Sequence, residues 1–203
     1  MTYLRHYIIE KNKEAVIVTD EGEFPIWIRD FEKSYTSLSK GDEIADPERL
    51  TELAIRREIK KKAIRRLAAG DITKKELTRK LLREKVYGGS ADPEWVEELL
   101  NKLENAGYID DNGYAVRFME KCLDKSWGIL RIRAAMREKG FADSHIDNAL
   151  EKLSPDFVGM AVEYVEKNYG GCDRDTVYKK MYQRGYRSEE IIEAIETLNI
   201  QNS

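Results

Sequence analysis

The chain has 203 residues, 35 basic and 38 acidic, with a formal net charge of −3. Its 41% hydrophobic content is too apolar for wholesale disorder, and 36% charge suits a helical protein with much surface per residue. Four prolines and thirteen glycines argue against an all-β architecture, two cysteines (Cys122 and Cys172) against a disulfide framework, and no apolar run approaches the ~18 residues of a bilayer span.

Residues 1–45 are expected to form a small β-rich extension. Tyr7-Ile8-Ile9, Ala15-Val16-Ile17-Val18 and Phe24-Pro25-Ile26-Trp27-Ile28 are β-prone, with turns at Asn12 and Asp20-Glu21-Gly22, so a three-stranded meander is predicted. A short helix is expected near Phe31 to Leu38, then a linker from Gly41 to Asp46. The opening residues carry Arg5, His6 and Glu10 among apolar ones and do not read as a signal peptide, which points to a cytoplasmic protein.

From residue 46 the signals are helical. Asp46-Pro47-Glu48 sets an acceptor at the N-cap, proline at the first helical position and a carboxylate in the first turn, and Asp92-Pro93-Glu94 and Ser154-Pro155-Asp156 repeat the device. Thr73-Lys74-Lys75-Glu76 reads as a capping box. Gly70, Gly107, Gly140, Gly170 and Gly185 stand where left-handed C-caps favour glycine.

These signals recur. At a shift of 45, Ile132, Met136, Gly140, Phe141, Ile146, Ala149, Leu150 and Leu153 fall on Val177, Met181, Gly185, Tyr186, Ile191, Ala194, Ile195 and Leu198. Leu82-Arg83-Glu84-Lys85 matches Met136-Arg137-Glu138-Lys139 at a shift of 54, and Val96, Leu99, Leu100 and Leu103 match Ile146, Ala149, Leu150 and Leu153 at 50, with an insertion at Gly88-Gly89-Ser90. The expected architecture is mainly α: an elongated array of three tandem three-helix repeats, over residues 46–110, 111–153 and 154–203. Leu150, with Leu100 and Ile195, is expected in the core.

Catalytic constellations are absent from the sequence. His6 and His145 are the only histidines, His145 reading as a surface residue, and no Walker A loop, G-x-S-x-G or H-E-x-x-H occurs. Asp110-Asp111 reads as a helix cap, so no enzyme, metal or cofactor is expected.

Charge is strongly blocked. Residues 56–85 hold 13 basic and 4 acidic side chains, residues 86–111 hold 1 and 7, and residues 112–139 hold 7 and 3. Arg79 and Arg83 lie four apart, away from Leu77 and Leu81; Arg133 and Arg137 stand likewise, and Tyr178 and Tyr182 take those positions in the third unit. These six residues are the candidate binding set, since arginine forks hold phosphates or carboxylates and tyrosines stack on bases or pack at interfaces.

Leu-Glu-Asn-Ala-Gly-Tyr-Ile-Asp-Asp at 103–111, then Tyr114-Ala115, then Met136-Arg137-Glu138-Lys139-Gly140-Phe141 resemble the segments that mark the RecX regulatory proteins, in order and at their spacing. Lys75-Glu76-Leu77 with Lys80-Leu81 adds to the likeness, which covers residues 50–200. Met136 stands for the family's leucine and Phe141 for its aliphatic residue, both volume-tolerant core changes, and the third unit is least like the pattern. The resemblance implies a non-enzymatic modulator of the RecA recombinase, made of tandem three-helix repeats. It would bind RecA and the RecA–DNA filament and depress ATPase, strand-exchange and coprotease activities in recombination and DNA repair. Some members also bind DNA, and the family offers no catalytic residues to transfer. The alternative reading is a tandem helical DNA-binding protein whose arginines contact phosphates of single- or double-stranded DNA. Salt dependence separates the two.

Overall fold

The computed structural model describes residues 1–10 and 13–200. Asn12, the expected turn residue, lies outside the described residues. The described chain is mainly helical, with ten helices behind a small sheet.

The sheet is the expected antiparallel meander, ordered β1 (Leu4–Glu10), β2 (Glu14–Thr19), β3 (Glu23–Trp27). Pairings Ile9–Ala15, Ala15–Ile26 and Ile17–Phe24 set its register. At the second turn the Thr19 N–H donates to the Gly22 carbonyl at 2.8 Å. Helix α1 (Ile28–Ser34) begins directly after β3, earlier than expected. Ile28, Phe31 and Tyr35 recur at i, i+3 and i+7, one helical face, and Phe31 and Tyr35 are buried. Period-2 alternation over residues 24–28 favours a strand at Ile28, but its spacing to Phe31 and Tyr35 places it in the helix.

One compact unit comprises residues 1–70 and 77–108, and the other residues 71–76 and 109–203. In the first, Leu4, Ala15, Ile17, Ile26, Phe31, Tyr35 and Ile44 share a core with Leu50, Leu53 and Ala54 of α2 (Pro47–Ala68). Asp46 caps α2 as expected, accepting from the Arg49 N–H at 2.7 Å, and Asp92 caps α4 (Pro93–Asn105), accepting from Glu94 at 3.2 Å. Val96 and Leu100 of α4 are fully buried, as are Leu77 and Leu81 of α3 (Lys74–Leu82).

The second unit holds two helix triplets, each with its own core. Helices α5 (Asp111–Leu123), α6 (Ile129–Lys139) and α7 (Asp143–Leu153) enclose Ala115, Met119, Cys122, Ile132, Met136, Phe141, Ile146 and Ala149. Helices α8 (Phe157–Tyr169), α9 (Arg174–Gln183) and α10 (Ser188–Thr197) enclose Ala161, Val165, Val177, Met181, Tyr186, Ile191, Ala194 and Ile195. The shift of 45 therefore pairs buried residues with buried residues. Leu150 departs from it: it is half-buried at the edge of its cluster with Leu153 and Phe157, whereas Leu100 and Ile195 are sealed.

Several sequence expectations need correction. Burial aligns Leu77 and Leu81 with Ile132 and Met136, a shift of 55 rather than 54, because a helix must keep its buried face and one residue turns it by ~100°. By burial, Thr78 and Leu82 thus stand opposite Arg133 and Arg137. Ser154 does not cap α8. It is the left-handed residue closing α7, and Asp156 caps α8 through the Gly159 N–H at 2.9 Å. After α8 the positive-φ glycine is Gly171, not Gly170. His145 is half-buried, with Nδ1 shielded and unpartnered. In the segment leading into α3, Thr73 accepts from the Glu76 N–H at 3.1 Å and donates to the Lys139 carbonyl at 2.8 Å. Asp110 caps α5 through Gly113, and Asp111 accepts from the Lys74 N–H at 3.0 Å.

Two glycines set the seat of α8–α10 on α5–α7. The Gly128 N–H donates to the Arg184 carbonyl at 3.0 Å, and the Leu130 N–H to the Gly185 carbonyl at 2.9 Å. A Cβ on Gly128 would lie 2.2 Å from backbone atoms of Gly185 and Tyr186; Gly185 itself has φ +88 and no room toward Arg131. Tyr186, fully buried, donates its hydroxyl to the Ser126 carbonyl at 3.2 Å, and burial pushes the phenol up to about 12, so it stays a donor at any ordinary pH. Arg184 donates to the Lys125 and Ser126 carbonyls and lies over the Tyr164 ring at 3.9 Å. Among the described residues no helix is long and apolar enough to cross a membrane.

Gly128→Ala should destabilise the chain by about 3 kcal/mol or more, because backbone rather than a flexible side chain must give way. Calorimetric melting checks this. In urea melts, Leu100→Ala should cost about 2–5 kcal/mol and Leu150→Ala clearly less, since only the first leaves a sealed cavity.

Candidate functional site

Five of the six candidate residues lie on helices α3, α6 and α9, Arg83 lies in the turn just past α3, and their surroundings differ. Arg79 on α3 and Arg83 in the turn after it are exposed, and among the described residues neither has a carboxylate at ion-pair distance. On α6, Arg133 is half-buried and donates to Asp147 at 2.6 Å, while exposed Arg137 donates to Asp143 at 2.9 Å. Both acids lie on α7, so this pair is locally neutralised. Exposed ion pairs of this kind contribute about 0–1 kcal/mol and exchange partners readily.

Tyr178 and Tyr182 on α9 stack with ring centroids 6.3 Å apart and 8° between planes. Tyr178 is half-buried and donates to the Ser188 hydroxyl at 2.9 Å; Tyr182 is 56% exposed. One phenol is thus fixed, and the other offers an open ring. Arg133 and Arg137 share α6, and Tyr178 and Tyr182 share α9, whereas α3 ends before Arg83. Arg79 and Arg83 belong to the first compact unit, the other four residues to the second.

Sequence reading missed a second set of groups in the first unit. A cleft of about 560 Å³ opens between β3, α1, α2 and α4. Its walls carry Trp27 and Trp95, and cations stand over both rings: Lys60 Nζ is 5.6 Å from the Trp27 centroid, and the Arg56 guanidinium 5.4 Å from that of Trp95. The signal was available as two tryptophans flanking the most basic block, but they lie 68 positions apart in sequence, and only the fold makes them neighbours of one cleft.

The wall beneath is held by a buried ion pair. Arg57 of α2, 7% exposed, donates to Glu14 of β2, 3% exposed, and Lys61 donates to the other carboxylate oxygen at 3.2 Å. Burial alone would raise the Glu14 pKa, but hydrogen bonds from Arg57 and Lys61 outweigh it and hold the carboxyl below its usual range. Nearby, hydrogen bonds from Lys62 and Arg66 lower Glu84 likewise. In the second unit Arg117 forks onto Asp71 at 2.6 and 3.2 Å. No group of three or more His, Cys, Asp or Glu side chains fit to hold a metal ion occurs among the described residues.

No protein-family model matches the chain. It is similar to the regulatory protein RecX of Halorhodospira halophila, 28% identical over 135 residues, covering 64% of this chain and 81% of that protein. With the regulatory protein RecX of Salmonella arizonae it shares 29% identity over 144 residues, 65% of this chain and 86% of that one. A crystal structure of regulatory protein RecX superposes with a TM-score of 0.68 at 20% identity, covering 98% of this chain and 99% of that one. The structure of RecX from Lactobacillus salivarius gives a TM-score of 0.61 at 22% identity, over 71% and 96%. These two show that the fold is shared.

The Glu14 pair sets a pH dependence. Because its pKa is depressed on folding, its contribution is complete above the ordinary value of 4.5 and is lost as pH falls through the folded value. Glu14→Gln should remove that acid-side slope and cost up to about 3–5 kcal/mol, tempered by Glu58, which lies 3.5 Å from Arg57. Urea melts of parent and variant across the acid range check both.

Proposed function

Because the chain belongs to the RecX family of regulatory proteins, we propose that it is a non-enzymatic regulator of the RecA recombinase in the cytoplasm, acting in homologous recombination and DNA repair. It binds RecA and the RecA–DNA filament and lowers the filament's ATPase, strand-exchange and coprotease activities. The observation that carries this reading is the sequence likeness to proteins named RecX over nearly two thirds of the chain. The absence of a catalytic constellation in the sequence is consistent with it.

In this reading the three helix triplets, α2–α4, α5–α7 and α8–α10, are tandem repeat units. Arg79, Arg83, Arg133, Arg137, Tyr178 and Tyr182 form the partner-facing set. Arg79 and Arg83 carry most of the attraction, since Arg133 and Arg137 must first leave Asp147 and Asp143. A second reading, direct DNA binding by the same arginines, is favoured by the exposure of Arg79 and Arg83 without a carboxylate partner. Phosphate-driven binding would weaken roughly 10³–10⁵-fold between 50 and 200 mM salt for 6–10 contacts.

Single-strand-stimulated RecA ATPase, measured with increasing amounts of the chain, should fall. Full activity at stoichiometric levels would overturn the reading. Arg79→Glu/Arg83→Glu should leave stability within about 0.5 kcal/mol and weaken inhibition strongly, because removing a desolvated interfacial charge costs about 2–5 kcal/mol. Arg133→Gln/Arg137→Gln, which avoids placing glutamates beside Asp147 and Asp143, should weaken it less. A folded Arg79→Glu/Arg83→Glu variant that inhibits as well as the parent would return those arginines to a solvated face.

A further inference from the structure

The cleft of the first unit has a composition the regulatory reading does not use. Six cationic residues line it, Lys13, Arg29, Arg49, Arg56, Lys60 and Lys102, against one acid, Asp30. Their engagements differ. Arg49 and Arg56 both bind Glu52, each at 2.5 Å, and are held as structural forks. Arg29 is only loosely placed, 3.8 Å from Asp30 and 86% exposed at its side chain, and Lys102 reaches Glu98 at 3.6 Å on an exposed face. Lys13 and Lys60 have no carboxylate partner among the described residues. The mobile charges of the cleft are therefore mostly lysines, with both arginine forks near the tryptophans already occupied.

A guanidinium fork binds two oxygens of a carboxylate or a phosphate alike. Lysine is a point charge that holds either anion without fixing its orientation, so the choice among anionic ligands falls to the aromatic rings. Trp27 and Trp95, both half-buried in the walls, offer flat π surfaces, with Arg57 and Lys60 over the first ring and Arg56 over the second. Stacking surfaces beside unpaired lysines, in a volume within the usual range for ligand sites, match a strand with exposed bases and a phosphate backbone. A duplex, whose bases are stacked inward, has nothing to offer the indoles.

We propose that this cleft binds a short stretch of single-stranded nucleic acid, with bases against Trp27 and Trp95 and phosphates on Lys13, Lys60 and Lys102. It deepens the direct DNA-binding reading by naming a strand type and a surface distinct from the arginine set, and it does not depend on any effect on RecA.

The test uses the full chain without RecA. The third tryptophan, Trp127, is replaced (Trp127→Phe) so that emission reports only the cleft, and a short oligothymidylate is titrated in. The oligonucleotide should quench the emission, and duplex DNA of equal length should not. Measured by anisotropy of labelled oligothymidylate, Trp95→Leu should weaken binding by roughly tenfold or more, and Lys60→Gln, a surface change that spares the fold, severalfold. Arg79→Glu/Arg83→Glu should leave the quenching in place. The proposal is overturned if oligothymidylate does not bind, binds without quenching, or binds both cleft variants as tightly as the parent. It is equally overturned if oligoglutamate quenches and displaces the oligonucleotide, which would make the cleft a site for acidic peptide. RecA inhibition in the Lys60→Gln variant is read separately, so loss of the regulatory reading and loss of this one are distinguishable.

Discussion

Each triplet of the second unit is closed by a glycine in the left-handed region followed at once by an aromatic side chain that plugs the core. Gly140 with Phe141 does this between α6 and α7, and Gly185 with Tyr186 between α9 and α10. A three-helix unit of some 45 residues has little core of its own, and one large ring entering from the loop supplies a substantial part of it. At Gly185 the same turn also carries the backbone that lies against Gly128. The arrangement of α8–α10 on α5–α7 thus depends on two positions without side chains and on one buried phenol hydrogen-bonded to Ser126. Burial of the second and third helices in each triplet follows from it, and so does the face that α6 and α9 leave outward.

The fold divides the cations into three populations by the partners they meet. Arg57, Lys61, Lys62, Arg66 and Arg117 are held by Glu14, Glu84 and Asp71, and the pKa values of those three acids are all depressed by the contact. Such pairs tie α2 to β2 and to the segment after α3, and α5 to the segment before α3, but they offer little to a partner. Arg79, Arg83, Lys13 and Lys60 stand without carboxylates among the described residues. Arg133 and Arg137 are intermediate, paired on a solvated surface where exchange costs little. A polyanion would therefore meet far fewer cations than the basic block of the sequence suggests, and it would meet them beside aromatic rings: Trp27 and Trp95 in the first unit, Tyr182 in the second.

Local chemistry was legible in the sequence wherever one turn of chain decides the outcome. The meander, the caps at Asp46 and Asp92, the hydroxyl cap at Thr73 and the heptad-like burial at Ile146, Ala149 and Leu153 depend on neighbours within a few residues, and period and cap rules read them directly. The 45-residue repeat was legible for the same reason, since homologous turns preserve the same buried pattern. Errors came where two local rules compete. Ile28 suits a strand by alternation and a helix by its spacing to Phe31; Ser154 suits an N-cap, yet closes the preceding helix; and a run of identical charges aligned Arg83 with Arg137 one residue away from the register that burial imposes.

By itself the sequence determined the fold class, the number and order of the helices, the family likeness and the list of arginines and tyrosines worth testing, because propensity, capping and periodicity are short-range. Tertiary structure alone decided which cations are free. Ion pairing depends on side chains tens of residues apart, as with Glu14 and Arg57 or Asp71 and Arg117, and no local pattern specifies that meeting. It also decided that Trp27 and Trp95 share a cleft and that Leu150 sits at a core edge while Leu100 is sealed. Packing between elements sets burial, and burial sets both the worth of a charge and the accessibility of a ring.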